Sequence, residues 1–140
     1  MTPEILDTTL EGVKIIRLPI LWDERGYFFE VYSREVWHDL GIDLEVKQLS
    51  QSRSNRNVVR GLHFQDNPPM GKAIRCLHGL ACLGFADVRP NSETFGKTFA
   101  YTSGNPSTLI WAPPGVAVGF AAWEGETVIE YLCSAEYHPS

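Results

Sequence analysis

The chain has 140 residues, 44% of them hydrophobic and 21% charged, which is ordinary for one globular fold with a sizeable core. Its net charge of −5 argues against a nucleic-acid binder, which would show a basic stripe, and no apolar run reaches the roughly 18 residues of a membrane span. Met1-Thr2-Pro3-Glu4 lacks the basic-then-apolar build of a secretion signal, and Cys76, Cys82 and Cys133 show no C-x-x-C spacing, so they read as reduced, buried thiols in a cytoplasmic protein.

In chain order, residues 13–20 predict a strand that ends at Pro19, before a polar turn at Asp23-Glu24-Arg25-Gly26. Residues 27–32, dense in aromatic and β-branched side chains, predict the next strand. Ser33 is placed to cap a short helix over 34–40, with Val36, Trp37 and Leu40 on one side and Gly41 past its end. A strand over 44–49 is followed by a polar loop over 50–57.

Then comes Val59-Arg60-Gly61-Leu62-His63-Phe64-Gln65, an extended and half-apolar stretch that carries an arginine, a histidine and a glutamine. Strand alternation puts Gly61, His63 and Gln65 on one face and Arg60, Leu62 and Phe64 on the other. Strands are expected again over 72–77, 80–88, 95–102, 108–112, 116–123 and 127–134, divided by Gly, Pro and Asn turns. Trp111 and Trp123 read as core, and His38, His78 and His138 as surface or turn residues. Short, evenly spaced strands with one helix indicate an all-β protein, a jelly-roll β-sandwich, in one domain over 1–140. A transition metal held in such a barrel needs about three or four protein ligands. His63 is the one obvious candidate, since Gln65 and Val118 stand where further ligands would be sought, so no metal or cofactor is expected.

Taken together, these pieces resemble the dTDP-4-dehydrorhamnose 3,5-epimerase family, nucleotide-sugar epimerases with a cupin-type jelly roll. The resemblance rests on Asp23-Glu24-Arg25-Gly26-Tyr27-Phe28-Phe29-Glu30, on Gln48 with Ser52 and Ser54, and on Arg60-Gly61-Leu62-His63-Phe64-Gln65. Lys72, Arg75-Cys76, Asp87-Val88-Arg89-Pro90-Asn91-Ser92, Phe95-Gly96-Lys97, Pro114-Gly115, Gly119-Phe120 and Tyr131 continue it in family order. It implies that His63 is the general base, that Lys72 faces the enolate oxygen and that Tyr131 protonates the opposite face. It also implies that Arg25, Glu30, Gln48 and Arg60 hold the nucleotide and its diphosphate, with Phe28 or Tyr27 stacked on the base. Those residue types suit the chemistry. Proton removal beside a ketone needs a base, developing oxyanion charge needs a cation, and arginine forks match a diphosphate. The implied assembly is a homodimer whose N-terminal strands cross to the partner. Each residue also has a plainer reading: Arg25 as an ion-paired turn residue, Glu30 as an outward strand residue, Lys72 as a solvated edge lysine, Tyr131 as a packed aromatic.

The sequence departs from the family pattern at named places. Val118 stands where the pattern has an active-site histidine, Leu83 where it has an aspartate, and Ser50 where it has an asparagine. The aspartate that orients the family's catalytic histidine belongs to a segment past the last residues matched here. The expectation is therefore an epimerase or isomerase of a 4-keto-6-deoxy nucleotide sugar, dTDP-linked, acting at one carbon or two. The alternatives are a nucleotide-sugar-binding relative with impaired catalysis and a 4-keto sugar nucleotide ketoisomerase.

Overall fold

A computed structural model describes residues 2–139. Its strands in chain order are β1 Glu4–Asp7, β2 Lys14–Arg17, β3 Leu21–Asp23 and β4 Gly26–Phe28; after helix α1 Arg34–Asp39 come β5 Gln48–Ser54, β6 Val59–His63, β7 Lys72–His78, β8 Ala81–Asp87, β9 Thr98–Ser103, β10 Thr108–Ala112, β11 Val116–Ala122 and β12 Thr127–Cys133. A six-stranded sheet runs β1-β2-β10-β7-β12-β5 and a four-stranded sheet runs β6-β11-β8-β9, while β3 and β4 form a separate hairpin. Every pairing between these strands is antiparallel, and the architecture is the cupin-type jelly roll.

Alternation builds the core between the two sheets. In β8, Ala81, Leu83, Phe85 and Asp87 are buried, and the residues between them are half-exposed. Leu83, Phe85, Val116, Val118 and Phe120 of the smaller sheet meet Ile74, Cys76, Ile110 and Ile129 of the larger. A second cluster covers the larger sheet's outer face, where Trp37 of α1 with Ile42 and Leu44 packs on Ile16, Leu109, Trp111 and Leu132. Ser33 caps α1 by accepting from the Val36 amide at 3.4 Å, and Gly41 takes the positive φ of 88° that ends the helix.

Several strand bounds differ from expectation. The strand expected over 27–32 shrinks to β4, because Phe29, Val31 and Tyr32 spend their apolar surface on the cluster around Trp37 rather than on a ladder. The span expected over 13–20 keeps its ladder only at β2. Residues 50–54, expected as loop, are the body of β5, which pairs along β12 from Gln48↔Cys133 to Ser54↔Thr127. Tertiary pairing there overrides serine's indifferent strand preference. β9 begins at Thr98 rather than at residue 95, since Ser92 to Lys97 is folded into turns. β1 was not foreseen, and Trp123 is 49% exposed rather than core. The three cysteines are unpaired thiols, and no helix is long and apolar enough to cross a membrane among the described residues.

Candidate active site

β5 ends the larger sheet and β6 ends the smaller one, and a cavity of about 760 Å³ lies between those two edges. Inward alternation supplies its walls. Gln48, Ser50 and Ser52 come from β5, Lys72 from β7, and Tyr131 and Cys133 from β12. Val118 and Phe120 close it from β11, Met70 from the loop before β7, and Tyr137 from the C-terminal segment.

β6 contributes both Arg60 and His63, which regular alternation would send to opposite faces. The register explains the difference. His63 pairs with Val118 and Arg60 with Phe120, so three steps along β6 span two along β11. This bulge turns both side chains to the same side. Gly61 makes it possible, with φ at 95° and backbone so close that an added Cβ would lie 2.8 Å from the Gly119 Cα.

Polar side chains in and beside the cavity are held in place. Arg60 Nε donates to Ser54 Oγ at 2.8 Å and Nη2 to the Arg53 carbonyl at 3.3 Å. Gln48 Nε2 donates to Ser50 Oγ at 3.1 Å, and its Oε1 accepts from the Tyr137 amide at 2.9 Å. Gln65 Oε1 accepts from the His138 amide at 2.9 Å while Nε2 donates to the Glu136 carbonyl at 3.0 Å. Two glutamines thus strap the C-terminal segment across the mouth and set Tyr137 over it. The Tyr131 hydroxyl lies 2.9 Å from Ser52 Oγ.

Burial pushes the Tyr131 phenol above its ordinary range, against the opposing effects of the Ser52 hydrogen bond and the Arg60 charge. Burial also lowers the Lys72 ammonium, partly offset by Cys133, its register partner on β12. A lysine eased toward neutrality beside a protonated phenol is an environment that a developing oxyanion would relieve. Among the described residues His38 is the one histidine in an ion pair, with Asp39 at 3.9 Å, so no carboxylate lies within 4 Å of His63. Its register partner is the buried, apolar Val118. No group of three or more His, Cys, Asp or Glu that could hold a metal ion is gathered among the described residues.

Of the eight residues singled out from sequence, His63, Lys72, Tyr131, Gln48 and Arg60 line this cavity. Arg25, Phe28 and Glu30 do not. Arg25 lies in the β3–β4 turn, ion-paired to Asp23 at 2.5 Å, Phe28 is 63% exposed at the end of β4, and Glu30 is exposed just beyond it. The hairpin is an aromatic platform in its own right, with Trp22 edge-on to Tyr27 at 5.1 Å and Tyr27 stacked on Phe29 at 5.3 Å. Sequence reasoning assigned no place in the cavity wall to Met70, Cys133 or Tyr137. The period-two run Gln48, Ser50, Ser52, Ser54 was a usable signal for the β5 wall; the strapped Tyr137 had none.

Comparison with known proteins gives a consistent picture. The sequence profile of the dTDP-4-dehydrorhamnose 3,5-epimerase family matches residues 7–140. The enzyme of that name from Methanothermobacter thermautotrophicus is 36% identical over 135 residues, covering 96% of this chain and 73% of that protein. The crystal structure of dTDP-4-dehydrorhamnose 3,5-epimerase from Elizabethkingia anophelis superposes with a TM-score of 0.93 at 33% identity, covering 99% of this chain and 77% of that one. The Legionella pneumophila dTDP-6-deoxy-D-glucose-3,5-epimerase, solved in complex with dTDP-4-keto-L-rhamnose, gives 0.92 at 34% identity, covering 98% of this chain and 74% of that one.

Proposed function

Because the chain belongs to the dTDP-4-dehydrorhamnose 3,5-epimerase family, we propose that it epimerises a dTDP-linked 4-keto-6-deoxy sugar, with His63, Lys72 and Tyr131 as its catalytic residues. The observation that supports this most directly is that these three side chains, from three different strands, share one cavity with Arg60.

In this reading His63 takes the proton from a carbon beside the ketone. The C–H electron pair moves to form the enolate, and charge gathers on the ketone oxygen. The Lys72 ammonium faces that oxygen from a half-buried position, where its attraction is screened less than in water. Tyr131 then delivers its phenolic proton to the opposite face of the same carbon. Imidazolium and phenolate return to their starting states by exchange with solvent. Arg60 and Gln48 hold the diphosphate and nucleotide, Arg60 as a charge-assisted donor.

Arg25, Phe28 and Glu30 fit the same reading if a second copy of the chain presents its β3–β4 hairpin to this cavity. The exposed aromatic platform favours such cover, because an apolar patch on the surface marks a contact site. The protein then works as a homodimer in which each site takes its base, cation and acid, with Arg60 and Gln48, from one subunit and the hairpin's share of the nucleotide contacts from the other.

Epimerisation at a single carbon is a second reading, favoured by one observation: the residue beside His63 on the neighbouring strand is Val118, which offers neither a proton nor a hydrogen bond.

A test uses His63→Ala. On a dTDP-4-keto-6-deoxy sugar it is expected to lose at least a hundredfold in turnover, the low end of what a positioned base contributes. Titration with dTDP should show unchanged affinity. Turnover retained in the variant would remove His63 from its role.

A further inference from the structure

The inward face of β5 carries three serines in succession, and the structure gives them different tasks. Ser50 Oγ accepts from Gln48 Nε2 at 3.1 Å, and Ser54 Oγ accepts from Arg60 Nε at 2.8 Å. Ser52 is the one that faces the Tyr131 hydroxyl, at 2.9 Å. The contact is diagonal across the ladder, since Tyr131 pairs with Ser50 and Ser52 with Ile129. A diagonal neighbour is within reach of a long aromatic side chain.

A phenol has one hydrogen, and a serine hydroxyl can give or accept. If Tyr131 donated to Ser52, its proton would be turned away from the cavity and toward β5. If Ser52 donates instead, the phenolic hydrogen is left to point inward. We propose that Ser52 is a positioning residue that donates its hydroxyl hydrogen to the Tyr131 oxygen, aiming the phenolic proton into the cavity and retaining a donor on the phenolate once that proton has left. No atom leaves Ser52. The Tyr131 O–H bond breaks, the new C–H bond forms on the enolate carbon, and the oxygen keeps its electron pair against the Ser52 hydrogen until water reprotonates it.

The other titratable or charged groups lining the cavity with Tyr131 are Arg60 and His63 from β6, Lys72 from β7, Cys133 on its own strand and Tyr137 from the C-terminal segment. Burial holds the phenol protonated; Ser52 and Arg60 work the other way. Removing Ser52 therefore makes Tyr131 a weaker acid and frees its rotor.

The inference rests on Tyr131 being the acid, and the experiment separates the two. Ser52→Ala, Ser52→Thr and Tyr131→Phe are compared with the parent protein on a dTDP-4-keto-6-deoxy sugar in D₂O. Deuterium wash-in and epimer formation are followed together across pH. Ser52→Ala is expected to lower epimer formation relative to wash-in by about three- to tenfold, the worth of one neutral hydrogen bond, with KM unchanged. The alkaline limb of its kcat profile should move to higher pH, and Ser52→Thr should restore both. An unchanged ratio and an unchanged limb in Ser52→Ala overturn the inference. If Tyr131→Phe epimerises like the parent, the acid assignment itself fails and the inference falls with it. Ultraviolet difference titration against the matching Tyr131→Phe background needs no turnover: Tyr131 should titrate higher in Ser52→Ala, and an unshifted titration also overturns the inference.

Discussion

Gly61 decides where the two most chemically loaded residues of β6 point. Its positive φ and close approach to the Gly119 backbone create the bulge that carries Arg60 and His63 into one cavity. Gly61→Ala places a Cβ against backbone that cannot move aside like a flexible side chain, in a conformation that L residues rarely adopt. The expected cost is about 1–3 kcal/mol, read as a lower urea midpoint with unchanged m-value. The affinity for dTDP should fall with it, because Arg60 is no longer turned to the cavity side; a variant of parental stability would contradict this account of the bulge. The residue types of the site were legible in the sequence, since His, Lys, Tyr and Arg in those patterns carry their own chemistry. Their shared face was not. Counting by two split Arg60 from His63, because a bulge depends on the register with β11, a partner more than fifty residues away in the chain.

At the scale of elements, β5 and the turn after β8 carry the lesson. Residues 50–54 looked like a loop because serine has little intrinsic preference for strands, yet five register pairs with β12 make them a strand. Helix α1, by contrast, was read within one residue of its end, since Ser33, the Trp37 side and Gly41 are local signals. The turn after β8 is pinned by Asp87, fully buried, which accepts from Arg89 Nε and Nη2 at 2.9 Å and from Ser92 Oγ and Thr94 Oγ1 at 2.5 Å. Arg89 above all holds the Asp87 carboxyl far below the usual carboxylate range. An acid whose folded pKa is depressed stabilises the fold at pH above its unfolded value, about 4, and loses that contribution as pH falls toward the folded value. Asp87→Ala should therefore cost about 3–5 kcal/mol at pH 7, the usual result of leaving the partner of a buried ion pair uncompensated. Thermal melts of parent and variant between pH 7 and pH 2 should converge as the pH drops below about 4. A gap that stays constant across that range would show that the turn is held by something other than this carboxylate.

Across the whole molecule, the jelly roll was legible because strand spacing and turn residues are written along the chain, while the sheet order is set by contacts that the sequence does not announce. The same limit applies to Arg25, Phe28 and Glu30. They were placed beside His63 in function, but the chain carries them on a hairpin away from its own cavity. The proposed homodimer resolves this and makes a quantitative prediction. Arg25→Ala and His63→Ala, each inactive alone, should complement when unfolded and refolded together. Random pairing regenerates about a quarter of the sites with an intact hairpin and an intact base, on two-fold symmetry. Recovered activity near that fraction supports the exchange; none contradicts it. The most direct test of the central claim is proton exchange by the parent protein. The protein is incubated with a dTDP-4-keto-6-deoxy sugar in D₂O, and the sugar is followed by mass and NMR. The account predicts deuterium at one or both carbons beside the ketone, absent with His63→Ala. Binding of the nucleotide sugar with no change in its mass would contradict it.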